Sequence, residues 1–311
     1  MIPPRKDLLD IASLSLEEVQ FLLDTARPFK DLFTRSVKKV PTLKGKSVLT
    51  LFYEPSTRTS SSFEIAAKRL SADVTNFQVN TSSVVKGESV LDTVDTLQAM
   101  KVDYLIIRHQ QAGVPGLIAR HTNASVINAG DGFHAHPTQA LLDAFTAQET
   151  LQNLAGRRIL IAGDIRHSRV ARSTSVIFRK LGAEVAFLGP GPLVPPESHT
   201  GIPHFRSWDE SFAWKPDIIY LLRVQLERQR GAFFPSIGEY HKIYGLNDER
   251  LQRARDEGIW VMHPGPVNRG VELTDAVMSY ERCLVNQQVE NGIAVRMAVL
   301  YWLQPEGKGG D

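Results

Sequence analysis

Residues 48–70 constrain the fold of this chain more than any other stretch. An apolar, β-rich run at residues 48–53 precedes a short polar segment, and apolar side chains then recur at helical spacing in residues 63–70. A strand, a tight turn and a helix in this order are typical of an α/β protein. Open α/β sheets bind ligands at the carboxyl ends of their strands, so this turn is a candidate binding site.

The turn carries more hydrogen-bond donors than a helix start requires. Ser56, Thr57 and Thr59 supply hydroxyl groups, and Arg58 supplies a permanent cation that can bind a phosphate through two hydrogen bonds. The first N–H groups of the following helix are unpaired within the helix and carry a partial positive charge. These features predict a phosphate-binding site. The alternative is an ordinary cap at Ser56 or Thr57, while the glycine-rich Walker sequence is absent.

The composition indicates two domains. With 311 residues, 42% of them hydrophobic, the chain can form two cores of about 150 residues each. A net charge of +2 gives no reason to expect binding to nucleic acid or an anionic membrane, and no run of about 18 apolar residues predicts a membrane span. The single Cys283 excludes an intrachain disulfide, and the first residues lack an apolar signal core. We expect a cytoplasmic protein with no metal and no cofactor.

Further polar side chains follow strands predicted in the first half. Arg108 ends an apolar run, where it either binds a ligand or pairs with a surface carboxylate. His136 precedes a helix that begins at Pro137, and it shares one face with Gln139. A histidine at a helix start resists protonation and can donate a hydrogen bond to a carbonyl oxygen, the alternative being a surface cap. His134 and His136 lack a third ligand at zinc spacing.

The second half begins with another strand and helix. Residues 153–158 mark the expected domain boundary, and a strand ends before Gly163. Ser168 is the expected N-cap of the next helix, which places Arg169 where an anionic ligand would meet the helix start. The dinucleotide-binding pattern Gly-x-Gly-x-x-Gly is absent.

Two later strands are also followed by candidate ligand groups. Arg223 follows a buried strand, either as an anion ligand or as part of a solvated loop. The segment His263-Pro264-Gly265-Pro266 follows the last predicted strand, and its backbone carbonyl groups suit an amide ligand.

Helix limits follow from caps and prolines. The spacing predicts a first helix that Ser13 or Ser15 caps and that ends near Pro28. A later helix is expected to include Met100 on its apolar face, and residues 289–303 are expected to form a terminal helix that packs on the first domain. No internal repeat is apparent.

Ser56-Thr57-Arg58-Thr59 at a strand-to-helix turn resembles the carbamoyl-phosphate signature of the transcarbamoylases, and nearly the whole chain resembles the aspartate transcarbamoylase family. The resemblance implies two α/β domains, each a parallel sheet flanked by helices. Residues 1–152 would bind carbamoyl phosphate and residues 153–288 would bind aspartate, with residues 289–311 returning to the first domain. It implies transfer of the carbamoyl group to L-aspartate in pyrimidine biosynthesis, by a homotrimer with shared active sites. A regulatory chain or a dihydroorotase is a further partner in such families.

The resemblance also implies roles for individual residues. Those assigned to carbamoyl phosphate are Ser56, Thr57, Arg58, Thr59, Ser82, Arg108, His136, Gln139, Gly265 and Pro266. Those assigned to aspartate are Lys86, Arg169, Arg223 and Gln225. The expected catalytic residues are Arg58, Thr59, Lys86, Arg108 and His136. Ser82 and Lys86 would reach into a neighbouring subunit's site, and Glu54 would act as a domain latch with Arg169 and Arg228. The family often has leucine or alanine at the position of Gly265.

Two other functions are compatible with the signature. An ornithine transcarbamoylase would need a pocket for an additional cation, which Arg169 and Arg223 should repel. Ornithine enzymes also usually carry His-Cys-Leu-Pro where this chain has residues 263–266. A non-catalytic module would bind carbamoyl phosphate without turnover.

Overall fold

The computed structural model describes residues 2–78, 90–224 and 236–303. The chain divides into two compact units: Met1–Leu142 with Glu290–Asp311, and Asp143–Val289, as far as these ranges are described. This division reflects compactness, so the domain limits expected from the sequence (residues 1–152, 153–288 and 289–311) stay a prediction. None of the described helices is long and apolar enough to cross a membrane.

The first unit is built on a parallel sheet. Its described strands are β1 (Ser47–Phe52), β2 (Asp73–Gln78), β3 (Tyr104–His109) and β4 (Ser125–Asp131). They are ordered β2-β1-β3-β4, with β1 and β3 adjacent at the centre. Leu51 and Ile107 are fully buried in the core of this unit. The continuous apolar runs of β1 and β3 fit strands that are covered by helices on both faces.

The second unit contains a second parallel sheet. Its described strands are β5 (Arg158–Ala162), β6 (Glu184–Leu188), β7 (His204–Phe205), β8 (Ile218–Leu221) and β9 (Trp260–Met262). The order is β7-β6-β5-β8-β9, so the carboxyl ends of β5, β8 and β9 are neighbours. Both sheets are flanked by helices, which confirms the predicted fold class. The short strand β7 was not predicted.

Helices connect the strands in both units. Those that begin in the first unit are α1 (Leu16–Asp31), α2 (Thr57–Arg69), α3 (Val90–Ala99), α4 (Val114–Ala119) and α5 (Pro137–Leu151). Those that begin in the second unit are α6 (Arg169–Lys180), α7 (Glu197–Thr200), α8 (Trp208–Ala213), α9 (Ile237–Tyr244), α10 (Asp248–Asp256), α11 (Asp275–Met278) and α12 (Val285–Trp302). The starts of α5 and α6 are those predicted from the sequence.

Two predicted helix features are wrong. Ser15 caps α1 and forms a reciprocal capping box with Glu18, but the helix continues through Pro28 to Asp31. Proline removes only its own N–H bond and crowds the preceding turn, so the helix can add a final turn beyond it. Met100 follows the end of α3 and is 66% exposed, so it does not belong to the apolar face of that helix.

The terminal helix begins four residues earlier than predicted. Helix α12 starts at Val285 rather than 289, and its residues from Glu290 onward belong to the first unit. Buried Arg296 donates a hydrogen bond to the Ser62 hydroxyl of α2. Beyond the helix, the Tyr104 hydroxyl donates to the carbonyl of Leu303 over 3.0 Å. The end of the described chain is thus part of the first unit's core.

Candidate active site

The predicted phosphate-binding turn lies between β1 and α2. Ser56 occupies the N-cap position of α2, and its carbonyl accepts the first helical bond, from the Ser60 N–H. The Ser56 side chain makes no capping hydrogen bond, and the first turn of the helix contains no acidic residue. A capping role therefore does not account for the serine. No acidic side chain in this turn offsets the partial positive charge of the helix start, which favours an anion there. Thr59 is buried, whereas Thr57 and Arg58 are exposed.

Arg108 stands next to this turn at the carboxyl edge of the same sheet. Its partner in register is Phe52, the last residue of β1. The Arg108 guanidinium lies 3.2 Å from the Glu54 carboxylate through Nε, and it donates from Nη1 to the carbonyl of Ala129 in β4. These contacts tie the arginine to both neighbouring strands. The sequence left open whether Arg108 pairs with a carboxylate or serves a ligand, and its position allows both.

His136 and Gln139 lie at the start of α5, after β4. Both side chains are buried, with exposed fractions of 4% and 8%. Because β4 neighbours β3 in the sheet, their turn lies at the same edge as Arg108 and the start of α2. The first unit therefore brings cationic and hydrogen-bond-donating side chains together at one sheet edge, as the sequence predicted.

His109 adds a neutral ring to this edge. Burial lowers the pKa of His109, and the negative charges of Glu54 and Asp131 act in the opposite direction. The Gln111 N–H donates to Nδ1 over 2.9 Å, which requires that nitrogen to be unprotonated. The ring meets Tyr53 edge to face at 4.7 Å. His109 was not predicted as a site residue.

Arg169 is the first residue of α6 in the second unit. Ser168 caps the helix, as predicted, by accepting a hydrogen bond from the Ala171 N–H over 3.1 Å. The Arg169 side chain is only 3% exposed. A buried guanidinium carries a high desolvation cost, which a nearby negative group offsets.

The other second-unit candidates follow neighbouring strands. Arg223 comes two residues after β8, and Gly265 and Pro266 come shortly after β9. Gly265 has φ +63°, a conformation that glycine adopts without the strain of a side chain. The peptide bond between Gly265 and Pro266 is cis. Arg169, Arg223 and this turn thus follow three adjacent strands of one sheet.

A buried histidine–glutamate pair supports the turn after β9. His263 Nδ1 accepts a hydrogen bond from the Gly265 N–H, while Nε2 lies 3.2 Å from the Glu272 carboxylate. Glu272 also accepts from the Asn268 N–H, and the Asn268 side chain donates to the carbonyl of Val224, next to Arg223. This link was not predicted, because Glu272 lies ten positions beyond β9 in an irregular segment.

Four predicted site residues lie outside the described part of the chain. These are Ser82, Lys86, Gln225 and Arg228. Glu54, the other half of the predicted latch, pairs with Arg108 within the first unit. In the described residues, no group of three or more histidine, cysteine, aspartate or glutamate side chains could hold a metal ion.

Two family descriptions together match nearly the whole chain. "Aspartate/ornithine carbamoyltransferase, carbamoyl-P binding domain" matches residues 6–149, and "Aspartate/ornithine carbamoyltransferase, Asp/Orn binding domain" matches residues 155–303. The chain belongs to the aspartate/ornithine carbamoyltransferase family. The resemblance drawn from Ser56-Thr57-Arg58-Thr59 is thereby confirmed.

Similar proteins carry the name of one branch of that family. An aspartate carbamoyltransferase catalytic subunit of Akkermansia muciniphila is 69% identical over 303 residues, covering 97% of this chain and 98% of its own. One of Endomicrobium trichonymphae is 55% identical, with 97% of both chains covered. The aspartate transcarbamoylase of Trypanosoma cruzi, solved with N-(phosphonacetyl)-L-aspartic acid, has a TM-score of 0.86 at 27% identity, covering 97% of this chain and 96% of its own.

Proposed function

We propose that this chain transfers the carbamoyl group of carbamoyl phosphate to the amino group of L-aspartate, giving N-carbamoyl-L-aspartate and phosphate. The observation that carries the proposal is its 69% identity, over 97% of the chain, to an aspartate carbamoyltransferase catalytic subunit. Related structures of the Trypanosoma cruzi enzyme hold carbamoyl phosphate alone and together with aspartate. The product places the reaction in pyrimidine biosynthesis.

The phosphate of carbamoyl phosphate is assigned to the first unit. Ser56, Thr57 and the N–H groups at the start of α2 donate to its oxygens, and Arg108 neutralises its charge from the neighbouring strand. Lys86 and Ser82, expected from a neighbouring subunit, complete this part of the site. A donor set with this charge favours phosphate both as a substrate group and as the leaving group.

The carbonyl oxygen of the carbamoyl group is assigned to Arg58, Thr59 and His136. The amine attacks the carbonyl carbon, so negative charge develops on this oxygen in the tetrahedral intermediate. Donors already aimed at that position stabilise the charge without reorganisation. The N–H groups of the carbamoyl group donate hydrogen bonds to the side chain of Gln139 and to the backbone carbonyls of Gly265 and Pro266. These bonds orient the carbamoyl group for attack.

The aspartate carboxylates are assigned to arginines of the second unit. Arg169 and Arg223 can each bind a carboxylate through two parallel hydrogen bonds, with Gln225 and Lys86 as further ligands. Closure of the domains, with Glu54 bridging to Arg169 and Arg228, is proposed to complete the site and exclude water. The departing phosphate is the proposed acceptor for the proton of the attacking amine.

The same charges argue against ornithine as acceptor. Ornithine carries an additional ammonium group, and Arg169 and Arg223 would repel it in the pocket proposed for aspartate. A module that only binds carbamoyl phosphate is the other alternative. Purified protein incubated with carbamoyl phosphate and aspartate, ornithine or no amine separates all three, because phosphate release should require aspartate. Release with ornithine, or with no acceptor preference, would contradict the proposal.

The proposed assembly is a homotrimer in the cytoplasm. Ser82 and Lys86 are expected to reach into a neighbouring subunit, so the active sites would be shared between subunits. A ring in which each subunit contributes to the site of the next is closed in a cyclic trimer. The single Cys283 fits a reducing compartment. The mass of the assembly in solution, measured by light scattering with and without a regulatory chain or dihydroorotase from the same source, tests this part of the proposal.

A further inference from the structure

A short sequence pattern occurs twice at the candidate site. Residues 129–136 read Ala-Gly-Asp-Gly-Phe-His-Ala-His, and residues 162–169 read Ala-Gly-Asp-Ile-Arg-His-Ser-Arg. Both contain Ala-Gly-Asp followed three residues after the aspartate by histidine, and both end on a predicted site residue, His136 or Arg169. This internal repeat was not predicted, because it is only eight residues long.

The two copies share an aspartate–histidine contact. Each begins at the carboxyl end of a strand, β4 or β5, and ends at the start of the next helix, α5 or α6. Asp131 lies 3.0 Å from Nδ1 of His134, and Asp164 lies 2.9 Å from Nδ1 of His167. Both aspartates are almost completely buried. An aspartate–histidine contact therefore precedes a predicted site residue in both units.

Asp131 holds the residue next to His136 from two sides. Its own N–H donates to the carbonyl of Ala135 over 3.1 Å, and its carboxylate Oδ1 accepts the Ala135 N–H over 3.0 Å. With both backbone groups of Ala135 engaged, the chain enters α5 in one orientation. The Asp131 carboxylate also contacts His134, whose side chain is 49% exposed.

The Asp131 carboxylate is also anchored to the rest of the unit. Oδ2 accepts the N–H of Gly113, which caps α4, over 2.7 Å. Oδ1 accepts from the side chain of Asn128, whose amide also donates to the carbonyl of Leu9. A buried carboxylate with donors on both oxygens is fixed in position. An asparagine cannot replace it, because its NH2 group would face a donor whichever way it turned.

We propose that Asp131 is a positioning residue for the transfer reaction, acting through the turn 131–135 on the imidazole of His136. This inference rests on the proposed function, in which His136 donates to the carbonyl oxygen of the carbamoyl group. A displacement of about 1 Å in a group that stabilises a transition state can cost roughly 100-fold in rate. Loss of the Asp131 contacts should therefore lower kcat more than it lowers the affinity for carbamoyl phosphate.

The test compares four variants by kcat at saturating substrates and by carbamoyl-phosphate affinity. We expect Asp131→Asn to lower kcat roughly tenfold or more and His136→Ala to lower it by about 100-fold or more. The double variant should match His136→Ala within about twofold, because Asp131 acts through that side chain. Asp103→Asn is the control: Asp103 is buried and accepts two hydrogen bonds from Ser47, but it lies at the amino end of the same sheet.

Asp103→Asn should lower the midpoint of urea unfolding without lowering kcat. If Asp131→Asn does not fold, His134→Ala takes its place, with an expected kcat loss of roughly threefold that also disappears in the His136→Ala background. Two results would overturn the positioning proposal but not the proposed function. One is a double variant whose loss of kcat equals the product of the two single losses. The other is an unchanged kcat in Asp131→Asn when His136→Ala is impaired. An unchanged kcat in His136→Ala would overturn the assigned role of His136 and the proposal with it.

Discussion

Replacing Glu54 separates two roles that its carboxylate can have. In the structure it lies 3.2 Å from Arg108, and the two side chains are 12% and 13% exposed. An ion pair between two side chains that are buried to this degree contributes about 1–2 kcal/mol. If that contact orients Arg108 for phosphate, Glu54→Ala should weaken carbamoyl-phosphate binding by roughly 5- to 30-fold. Glu54→Gln keeps an oxygen acceptor for Arg108, so it should weaken binding by no more than about threefold.

The proposed latch predicts a different pattern. A bridge to Arg169 and Arg228 depends on the charge of Glu54, which both variants remove. Both should therefore raise the KM for aspartate and lower kcat together, because the closed form becomes less populated. Glu64→Ala is a suitable control, since Glu64 is a carboxylate of α2 that pairs with the exposed Lys68 outside the proposed site.

Carbamoyl-phosphate affinity should be measured by calorimetry without aspartate, and the kinetic constants by phosphate release. Parental constants for aspartate in Glu54→Gln would refute the latch. Parental carbamoyl-phosphate affinity in Glu54→Ala would refute the orientation of Arg108 by Glu54. The two outcomes are independent, so one role can survive without the other.

Three further predictions address other parts of the site. Arg58→Ala should lower kcat by roughly 100- to 1000-fold, since it removes a donor to the developing oxyanion, and turnover within about threefold of the parent would contradict its role. Inactive Lys86→Ala and Arg58→Ala chains, dissociated and mixed, should regain partial activity if sites are shared between subunits, and confirmed mixed trimers without activity would place Lys86 in its own subunit's site. Burial lowers the pKa of His109, so the unfolded chain takes up a proton that the folded chain resists, and stability should fall as the pH drops below about 6.5. The midpoint of urea unfolding should differ less between about pH 7.5 and about pH 5.5 in His109→Asn than in the parent protein. An equal difference in the two proteins would exclude His109 as the cause of the lower stability at acid pH.

The strands, and the position of the first unit's candidate residues at one sheet edge, were predictable because their signals are local. The buried run before Glu54 and the donors from Ser56 to Thr59 occupy consecutive positions, and Arg108 ends a strand that the apolar pattern marks. A parallel sheet brings such strand ends to one edge without further information. This is why the chain's order of strands and polar residues was enough to predict which side chains meet at that edge.

The supporting contacts were not predictable because their partners are distant in sequence. Asp131 receives a hydrogen bond from Gly113, and Glu272 reaches His263 across an irregular segment. Neither contact follows a helical or strand period. Pro28 predicts the end of α1, but the helix continues for three residues beyond it, to Asp31. Sequence patterns thus locate the residues proposed to meet substrate more readily than the residues that hold them in place.

The dependence of the first unit on α12 has a consequence for synthesis on the ribosome. Arg296 and Leu303 belong to the core of a unit whose sheet is made from residues 47–131, so that core stays incomplete until almost the whole chain has emerged. The indole of Trp302 also donates to the carbonyl of Pro3. A nascent chain that has emerged from the ribosome as far as residue 289 would expose the α12-facing surface of its first unit, whereas all of the second unit would already be available to fold. The part made first is therefore the part completed last, and chaperones that bind exposed apolar surface should meet the first unit rather than the second.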